Sequence, residues 1–348
     1  MPVSDQHINV LMTGGGAPGA AGILKCLQQN EVIHVTVADA NAAAIGRYMA
    51  GDFETIPLAS DPMFAEKVLE LCKHKNIQVL LPLVTKELVP LAQHHKDFQK
   101  AGVKLLCSSP ASLEIANNKS RLYEFLEWRD ISIPQYRVVE TIDQFKTAVA
   151  ELGYPSKAIC FKPSISNGSR GFRIIDASIN EHDLLFNHKP SSTYIKYSEA
   201  VRILSSTSFP ELLVTEYLPG DEYSVDCLAK EGESVLIVPR LRKKMINGIS
   251  VEGEFVNNES IINYCRLIIK ELQLHGNIGI QVKESSSGEF LVLEINPRVQ
   301  GTIAAGLGAG INLPVLAVKQ AQGLSISPEE LKVKWGTKFS RFWDEVFY

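Results

Sequence analysis

The sequence predicts an α/β fold with a parallel sheet in its amino-terminal part and an α+β fold in the remainder. Short apolar runs alternate with amphipathic helical patterns over residues 8–106, the two patterns mix over 134–209, and alternating strands dominate 212–296. Strand–helix alternation gives a parallel sheet with helices on both faces. The length of 348 residues exceeds that of a usual single domain and indicates two or three packed units.

The first part contains five short apolar runs typical of buried strands, with three helical patterns between them. The predicted strands lie near Ile8–Met12, Ile33–Ala38, Glu54–Pro57, Ile77–Pro82 and Val103–Cys107. The predicted helices lie near Ala20–Gln29, Pro62–His74 and Lys86–Gln99.

After Pro110 this rhythm changes, and helices and strands no longer alternate regularly. Helices are predicted at Ala111–Ala116, Lys119–Trp128, Ile142–Leu152, Glu259–Leu272 and Pro314–Gln322. Strands are predicted at Ala158–Lys162 and Gly171–Asp176. In the helix at 259–272, apolar residues recur at the spacing of one buried face.

The composition is that of a globular protein, with 45% hydrophobic and 21% charged residues. A net charge of -4 gives no broad attraction to nucleic acid or to an anionic membrane. The first residues lack the pattern of a signal peptide, and no apolar stretch has membrane-spanning length. The six cysteines form no C-x-x-C motif, which indicates buried thiols in a reducing compartment. We expect a cytoplasmic protein with neither nucleic-acid nor membrane partners.

A glycine motif follows the first predicted strand. Gly14, Gly16 and Gly19 satisfy G-x-G-x-x-G, and Asp39 follows Gly19 by 20 residues. This is the context of a dinucleotide site, so an NAD(P)-binding oxidoreductase is a serious alternative. Glycines that only allow a tight turn and close helix–sheet packing would look the same. The sequence lacks a His–Asp, Tyr–Lys or Cys arrangement suited to hydride transfer, which weakens the oxidoreductase hypothesis.

The segment L-V-L-E-I-N-P-R is the most informative in the chain. Side chains alternate along a strand, so Glu294 and Asn296 face the same way. A hairpin centred on the S-S-S-G turn at 285–288 puts Gln281 on that face. One carboxylate and two amides are oxygen donors that suit Mg²⁺ shared with nucleotide phosphates. Arg298 adds a planar cation suited to phosphoryl oxygens, which favours this interpretation over a polar solvent face.

Two segments upstream have the composition of nucleotide contacts. Lys162 ends a buried strand, and the loop S-N-G-S-R-G follows with Ser166, Gly168, Ser169 and Gly171. Such a loop can lay backbone N–H groups and hydroxyls over phosphates, although a plain turn is the alternative.

The second segment is T-E-Y-L-P-G-D-E. A strand ending in Glu216, Tyr217 and Leu218 can present backbone groups to an adenine edge, and Glu222 can accept hydrogen bonds from ribose hydroxyls. Two strands joined by an ordinary turn are the alternative here.

The order of these residues along the chain resembles the ATP-grasp superfamily. It is most similar to single-unit relatives of the carbamoyl-phosphate synthetase large chain and biotin carboxylase. E-I-N-P-R resembles the superfamily's E-x-N-P-R signature, its most specific element, and the resemblance covers nearly the whole chain. It implies a pre-ATP-grasp domain at 1–117, a small lobe or lid at 118–211, and a large lobe with the metal site and a carboxyl-terminal tail at 212–348.

The resemblance also implies roles in binding the nucleotide phosphates. Lys119, in N-N-K-S-R, matches the basic residue that reaches the α-phosphate. Lys162 matches the residue that bridges adenine and phosphate, and the loop at 166–171 matches the flap over the β- and γ-phosphates.

The remaining matches concern adenine, ribose and metal. Residues 216–218 match the adenine hinge, and Glu222 matches the ribose clamp. Gln281, Glu294 and Asn296 match the magnesium ligands.

Three arginines are the candidate catalytic residues. Arg298 matches the residue that steadies the transferred phosphoryl group. Arg240 and Arg242, in the basic run R-L-R-K-K at 240–244, are candidates for orienting the γ-phosphate or the acceptor carboxylate. A solvated basic strand end is the alternative for both.

The implied activity is that of a carbon–nitrogen ligase, which joins a small carboxylate to an amine through an acyl phosphate. ATP and Mg²⁺ are the implied cofactors, Mn²⁺ can substitute, and a homodimer stays open. The synthetase has two such units, and its bicarbonate-using unit has a histidine where this chain reads N-G-I-S at 247–250. This chain has one such unit and no histidine at that place, and both departures argue against bicarbonate as the substrate. The alternatives are the oxidoreductase and a non-catalytic nucleotide-binding module.

Overall fold

The structure, a computed structural model, describes residues 7–166, 168, 170–188, 193–246 and 248–348. Contacts divide the chain into two compact units. The first unit consists of the described residues of Met1–Asn117, Glu222–Val282 and Glu294–Tyr348, and the second of those of Asn118–Asp221 and Lys283–Leu293. This division into two units does not test the three consecutive domains predicted above, which stay a prediction.

The first unit begins with strands and helices in near alternation. They are β1 (Ile8–Thr13), α1 (Ala20–Gln28), β2 (Ile33–Asp39), α2 (Gly46–Met49), β3 (Asp52–Thr55), α3 (Phe64–His74), β4 (Val79–Pro82), α4 (Thr85–Gln93), α5 (His95–Lys100), β5 (Lys104–Leu105) and α6 (Pro110–Ala116). The strands form one sheet in the order β3-β2-β1-β4-β5, with every pairing parallel. The predicted α/β class is confirmed. The strand order switches direction between β1 and β4, and ligands of open α/β sheets bind outside the carboxyl ends of the strands at such a point.

One helix predicted as continuous, Lys86–Gln99, is divided. Helix α4 ends at Gln93 and α5 begins at His95. Pro90 has no N–H to donate, and the backbone N–H of His94 donates to the Leu91 carbonyl at 3.1 Å, the tighter spacing of a closing turn. Phe98 on α5 is fully buried.

The second unit contains most of the middle of the chain. Its elements are α7 (Lys119–Trp128), β6 (Tyr136–Val139), α8 (Ile142–Glu151), β7 (Ile159–Pro163), β8 (Arg173–Ile175), α9 (Glu181–Asn187), α10 (Tyr197–Leu204) and β9 (Leu212–Glu216). The four strands form an antiparallel sheet in the order β6-β9-β7-β8. Phe145 of α8 meets Phe161 of β7 edge to face, with ring centroids 5.3 Å apart, in the core of this unit.

The rest of the chain is dominated by strands. It contains β10 (Glu222–Lys230), β11 (Glu233–Ile246), β12 (Ile249–Phe255), α11 (Glu259–Glu271), β13 (Gly276–Glu284), β14 (Phe290–Asn296), a 3₁₀ helix at Ile303–Leu307, α12 (Leu313–Ala321), a second 3₁₀ helix at Pro328–Leu331 and β15 (Lys338–Ser340). The strands form a sheet in the order β14-β13-β10-β11-β12-β15. This confirms the α+β character of the second part.

The predicted hairpin is present. Strands β13 and β14 are neighbours in the sheet. In the turn between them, the N–H of Ser285 donates to the Glu289 carbonyl at 2.8 Å, and Gly288 has a φ of +83°, which glycine adopts without strain.

The core of the first unit joins its sequence-distant segments. Val10 and Met12 of β1 pack in one cluster with Leu24 of α1, Leu228 of β10 and Leu316 of α12, and all five are at most 2% exposed. The other face of the parallel sheet is buried in a second cluster that includes Phe64 and Phe98. Among the described residues, no helix has both the length and the apolar character needed to cross a bilayer.

Candidate active site

The E-I-N-P-R segment forms a hydrogen-bonded series of polar side chains at the end of β14. The amide nitrogen of Asn296 lies 3.3 Å from Glu294 Oε1, and its amide oxygen accepts from Arg298 Nη2 at 3.3 Å. All three side chains belong to the first unit and are only partly buried or intermediate in exposure. The alternation predicted from the sequence therefore brings Glu294 and Asn296 together.

The chemistry of these side chains fits a magnesium ion. Glu294 and Asn296 supply oxygens, and Gln281, on the neighbouring strand β13, adds an amide. Asn296 turns its nitrogen toward Glu294, so rotating this amide by half a turn would place its oxygen beside the carboxylate. Within the described ranges, no three His, Cys, Asp or Glu side chains are grouped to hold a metal, so a site here depends on amide oxygens.

Arg298 is hydrogen-bonded to the start of α4, which follows the carboxyl end of strand β4. Its Nε donates to Thr85 Oγ1 at 3.2 Å and its Nη1 to the Val299 carbonyl at 2.8 Å. Burial lowers the pKa of this guanidinium, and Glu294 opposes the shift. A fixed, poorly solvated cation beside a carboxylate is suited to bind phosphoryl oxygens.

Arg242 on β11 is held entirely by protein groups. It forms an ion pair with Glu222, its Nε donates to Ser250 Oγ at 3.0 Å, and its Nη2 donates to the Gly248 carbonyl. Burial lowers its pKa, and Glu222 opposes the shift most strongly. The Glu222 carboxylate, predicted as the ribose clamp, thus orients Arg242.

The alternative of a solvated basic strand end is wrong for the two arginines. Arg240 is 0% exposed, and the Arg242 side chain is 4% exposed. Lys243 and Lys244 follow that interpretation, since both are exposed and pair with glutamates of β12. The difference arises because the Phe339 ring packs over the Arg240 guanidinium, while Glu222 and Ser250 hold Arg242.

In the second unit, the start of α7 is bonded to the base of the predicted flap. The Lys119 ammonium donates to the Ser166 carbonyl at 2.9 Å, and its backbone N–H donates to the Ser164 carbonyl. The hydroxyls of Ser120 and Ser164 are 2.5 Å apart. Lys119 is 5% exposed, so its charge lies inside this unit and not on an open surface.

Lys162 and two glycines define the rest of this region. Lys162 Nζ donates to the Leu293 carbonyl at 2.9 Å, which fixes its ammonium beside the residue that precedes Glu294 in the sequence. Gly168 and Gly171 both have positive φ, and a Cβ on Gly171 would lie 2.6 Å from Pro163 Cδ. Ser169, predicted as a flap residue, lies outside the described residues.

The predicted adenine hinge ends β9. The Glu216 carboxylate accepts the backbone N–H of Gln135 at 2.8 Å, and Leu218 is 3% exposed. Lys283 Nζ lies 4.6 Å from the centre of the Tyr217 ring, a cation–π contact that the sequence did not indicate.

The glycine motif serves packing in this structure. The N–H of Gly16 donates to the Asp39 carboxylate at 2.7 Å, so the acidic residue expected to hold a ribose holds the turn. A Cβ on Gly19 would lie 2.3 Å from the Cα of Gly301. The backbone that follows E-I-N-P-R therefore occupies the start of α1, where a dinucleotide fold places its pyrophosphate.

Sequence reasoning missed the polar residues at the switch between β1 and β4. Thr13 ends β1 and donates from its hydroxyl to Glu87 Oε2 at 2.6 Å. Thr85, in the first turn of the same helix α4, receives Arg298. The sequence contained a signal for both, because the ends of parallel strands at a switch point are where ligands bind.

Glu87 gives a testable pH dependence. Burial raises the pKa of Glu87 from 4.5 to about 7, although the hydrogen bond from Thr13 lowers it. Between these values the unfolded chain loses a proton that the folded protein keeps, so stability falls as pH rises. The fall should total about 3 kcal/mol and level off above neutral pH.

We therefore expect Glu87→Gln to flatten this dependence by about that amount between roughly pH 5 and pH 8. Urea denaturation at several pH values measures it, with Glu66→Gln on the exposed face of α3 as the control. If the free energy of unfolding changed with pH in the same way in the wild type and in Glu87→Gln, Glu87 would not be protonated in the folded state.

Comparison with protein families assigns both parts of the chain. Residues 208–340 match the model described as ATP-grasp in the biosynthetic pathway with Ter operon. Residues 10–106 match the PylC-like amino-terminal domain. The chain is an ATP-grasp superfamily protein. This places it in a family of ATP-dependent ligases.

Among curated relatives, this ATP-grasp protein is similar to the carbamoyl phosphate synthase large chain of Clostridium acetobutylicum. The two are 25% identical over 291 residues, which is 79% of this chain and 25% of the relative. The chain thus spans about a quarter of the length of that relative.

Solved structures share its fold. The L-amino acid ligase of Bacillus licheniformis superposes with a TM-score of 0.67 at 14% identity, covering 94% of this ATP-grasp chain and 78% of the ligase. The biotin carboxylase domain dimer of Hydrogenobacter thermophilus 2-oxoglutarate carboxylase, solved with MgADP and bicarbonate, gives 0.68 at 14% identity, covering 96% and 74%.

Proposed function

We propose that this protein is an ATP-dependent carboxylate–amine ligase that forms an amide through an acyl phosphate. The observation that carries the proposal is the series Glu294, Asn296 and Arg298, in which oxygen donors for a metal adjoin a partly buried guanidinium. A protein that only binds nucleotide has no need for a cation placed to stabilise a transferring phosphoryl group.

In the first step, a carboxylate oxygen of the substrate bonds to the γ-phosphorus of ATP. The bond from that phosphorus to the β,γ-bridging oxygen breaks, and ADP leaves with the electron pair. Arg298 donates hydrogen bonds to the equatorial oxygens, where charge develops. Gln281, Glu294 and Asn296 would hold a magnesium ion, which would neutralise part of this charge.

In the second step, the amine nitrogen bonds to the acyl carbon. The bond from that carbon to the phosphate oxygen breaks, phosphate leaves with the electron pair, and the amine proton passes to phosphate or water. Lys119, Lys162 and the flap bind the nucleotide phosphates, and residues 216–218 present backbone groups to adenine. No side-chain nucleophile is required.

The nucleotide preference tests this proposal. We expect calorimetry to show ATP binding that depends on magnesium, and no comparable heat with NAD or NADP, because Gly301 packs against the glycine turn. Lys162→Ala should weaken ATP binding by about 10- to 100-fold, since it removes one charged hydrogen-bond donor.

Lys157→Ala is the matched control, because Lys157 precedes β7 and is exposed. Binding of NAD without binding of ATP would sink the ligase proposal. In a second experiment, amino acids and other small carboxylates are screened in pairs with amines for ADP release. Release that needs both partners supports amide formation.

A further inference from the structure

The protein's own chain occupies the switch point of the parallel sheet. The loop of residues 298–302, here called the arginine loop, continues from E-I-N-P-R and contacts the starts of the helices that follow β1 and β4. A Cβ on Gly19, at the start of α1, would lie 2.3 Å from the Gly301 Cα. Arg298 Nε donates to Thr85 Oγ1, at the start of α4, at 3.2 Å. The position where open α/β sheets usually bind a ligand therefore holds the loop that carries Arg298.

The backbone of the arginine loop is fixed by packing. Val299 is buried and belongs to the core cluster that contains the side chains of β1 and α1. Gln300 is also buried, and its amide donates to the Val225 carbonyl at 3.3 Å. A Cβ on Gly279 of β13 would lie 2.1 Å from the Cγ of Gln300, so this side chain fits only because the strand position is glycine. The loop can move only if these buried contacts break.

The two ends of the loop are held as well. Thr302 accepts a hydrogen bond from Arg240 Nη2 at 2.6 Å, and both side chains are buried. Ile303, the next residue, packs in the same core cluster as Val299. On the other side of Arg298, Pro297 restricts the backbone through its ring. The freedom that remains to Arg298 is therefore in its side-chain torsions.

The Arg298 side chain has three acceptors in the protein. Nη1 donates to the Val299 carbonyl at 2.8 Å and Nη2 to Asn296 Oδ1 at 3.3 Å, so both of these acceptors are near Arg298 in the sequence. The third acceptor, Thr85, comes from a distant segment of the same unit. Each Nη atom carries two hydrogens and keeps one for a further acceptor, whereas Nε gives its only hydrogen to Thr85.

The bond to Thr85 is the side-chain bond that metal binding would spare. The proposed magnesium site needs the amide oxygen of Asn296 beside Glu294, which requires the amide to rotate by half a turn. The amide nitrogen would then face Arg298 Nη2, and two donors cannot form a hydrogen bond with each other. Thr85 would then be the side chain that still holds the guanidinium.

Thr85 itself is placed by a rigid element. It is the first residue of α4, whose Leu88 and Leu91 are fully buried in the second core cluster. Glu87, on the same turn, accepts from the Thr13 hydroxyl of β1. Among the described residues, no side chain caps the start of α4, so the Thr85 hydroxyl is not used for that purpose. A hydroxyl on such an element fixes its partner more precisely than one on a loop.

We propose that Thr85 is a positioning residue for phosphoryl transfer, which holds Arg298 Nε and so directs the two free Nη hydrogens toward the transferring phosphoryl group. This assignment rests on the proposed ligase function. Thr85 acts through Arg298 and needs no contact with the substrate. Misplacing a catalytic group by about 1 Å can cost about 100-fold in rate, so the loss of one hydroxyl has a measurable effect.

Turnover of a near-isosteric variant tests this inference. With a substrate pair found by the ADP-release screen, Thr85→Val should lower kcat by about 10- to 100-fold and change KM for MgATP by less than about threefold. Thr85→Ser keeps the hydroxyl and should restore most of kcat. The control is Thr36→Val in the same sheet, because Thr36 is buried and donates to Asp52 at 2.8 Å. It should leave kcat unchanged. Wild-type kcat in Thr85→Val overturns the inference.

A double-mutant cycle shows whether Thr85 acts through Arg298. In the Arg298→Ala background, adding Thr85→Val should lower kcat by no more than about twofold, because no guanidinium remains to be positioned. The same fold loss in both backgrounds would show that Thr85 acts independently of Arg298, and would overturn the inference.

NMR of the arginine side chains gives a readout that needs no turnover. The Nε–H signal that is missing in Arg298→Ala identifies Arg298. In the free protein and with MgADP, we expect this signal to shift and its hydrogen to exchange faster with water in Thr85→Val. The signal should be as in the wild type in Thr85→Ser and in Thr36→Val. An unchanged Arg298 signal in Thr85→Val overturns the inference.

The two proposals fail in different experiments. If the wild type bound no MgATP, the ligase function would be wrong, and the spectra would still show whether Thr85 holds Arg298. If the wild type released ADP with both substrates while Thr85→Val kept its kcat and its Arg298 signal, the role of Thr85 alone would be wrong.

Discussion

Arg298→Ala should lower kcat by about two to four decades while changing the Kd for MgATP by less than about threefold. The guanidinium is partly buried, so its field is less screened than that of an exposed arginine, and its fixed donors should act most strongly when charge spreads over the transferring phosphoryl group. An interaction that strengthens only in the transition state affects kcat more than binding. Amine-dependent ADP release gives kcat, and calorimetry gives Kd.

Arg266→Ala is the control for this variant, because Arg266 is an exposed arginine of α11 in the same unit. It should leave both quantities unchanged. Near-wild-type turnover by Arg298→Ala would remove E-I-N-P-R from catalysis. A parallel loss of Kd and kcat would make Arg298 a nucleotide-binding residue instead.

Arg240→Met should destabilise the protein by about 3–5 kcal/mol, because it leaves the Asp226 carboxylate buried without its cation. Burial already raises the pKa of Asp226, and Arg240 opposes the shift. Adding Asp226→Asn should restore most of the loss, since a neutral amide is far less costly to bury than an unpaired charge. Urea denaturation at neutral pH measures the three free energies of unfolding.

The exposed pair Lys244–Glu252 supplies the contrast, being 3.1 Å apart with both side chains largely in solvent. Lys244→Met should change stability by less than about 1 kcal/mol. If Arg240→Met had an equally small effect, the carboxylate of Asp226 would not be charged in the folded protein.

Periodicity predicted those parts of the fold that depend on local pattern. The parallel strands were placed by apolar runs, and the facing of Glu294 and Asn296 followed from the pleat of a single strand. The contacts of Arg298 with Asn296 are equally local. The sequence also indicated the turn at 285–288, because glycine and serine favour it.

What the sequence could not predict depends on distant pairing. Arg240 looks like a solvent-facing residue in R-L-R-K-K, and it is buried because Phe255 pairs beside it and Phe339 packs over it. Nothing in the residues near Arg240 indicates that a strand about 100 residues later packs over its side chain. The hydrogen bond from Lys119 to the Ser166 carbonyl could not be predicted either, because the type of a residue does not show which donor its backbone carbonyl accepts.

The close approach of Gly19 and Gly301 also bears on how this protein can evolve. At the start of α1, a Cβ on Gly19 would lie 2.3 Å from the Cα of Gly301. A dinucleotide could enter there only if the loop after Arg298 moved out, and that loop carries Thr302, the partner of Arg240. A lineage that gained dinucleotide binding at the glycine turn would therefore have to rebuild the loop that Arg240 contacts.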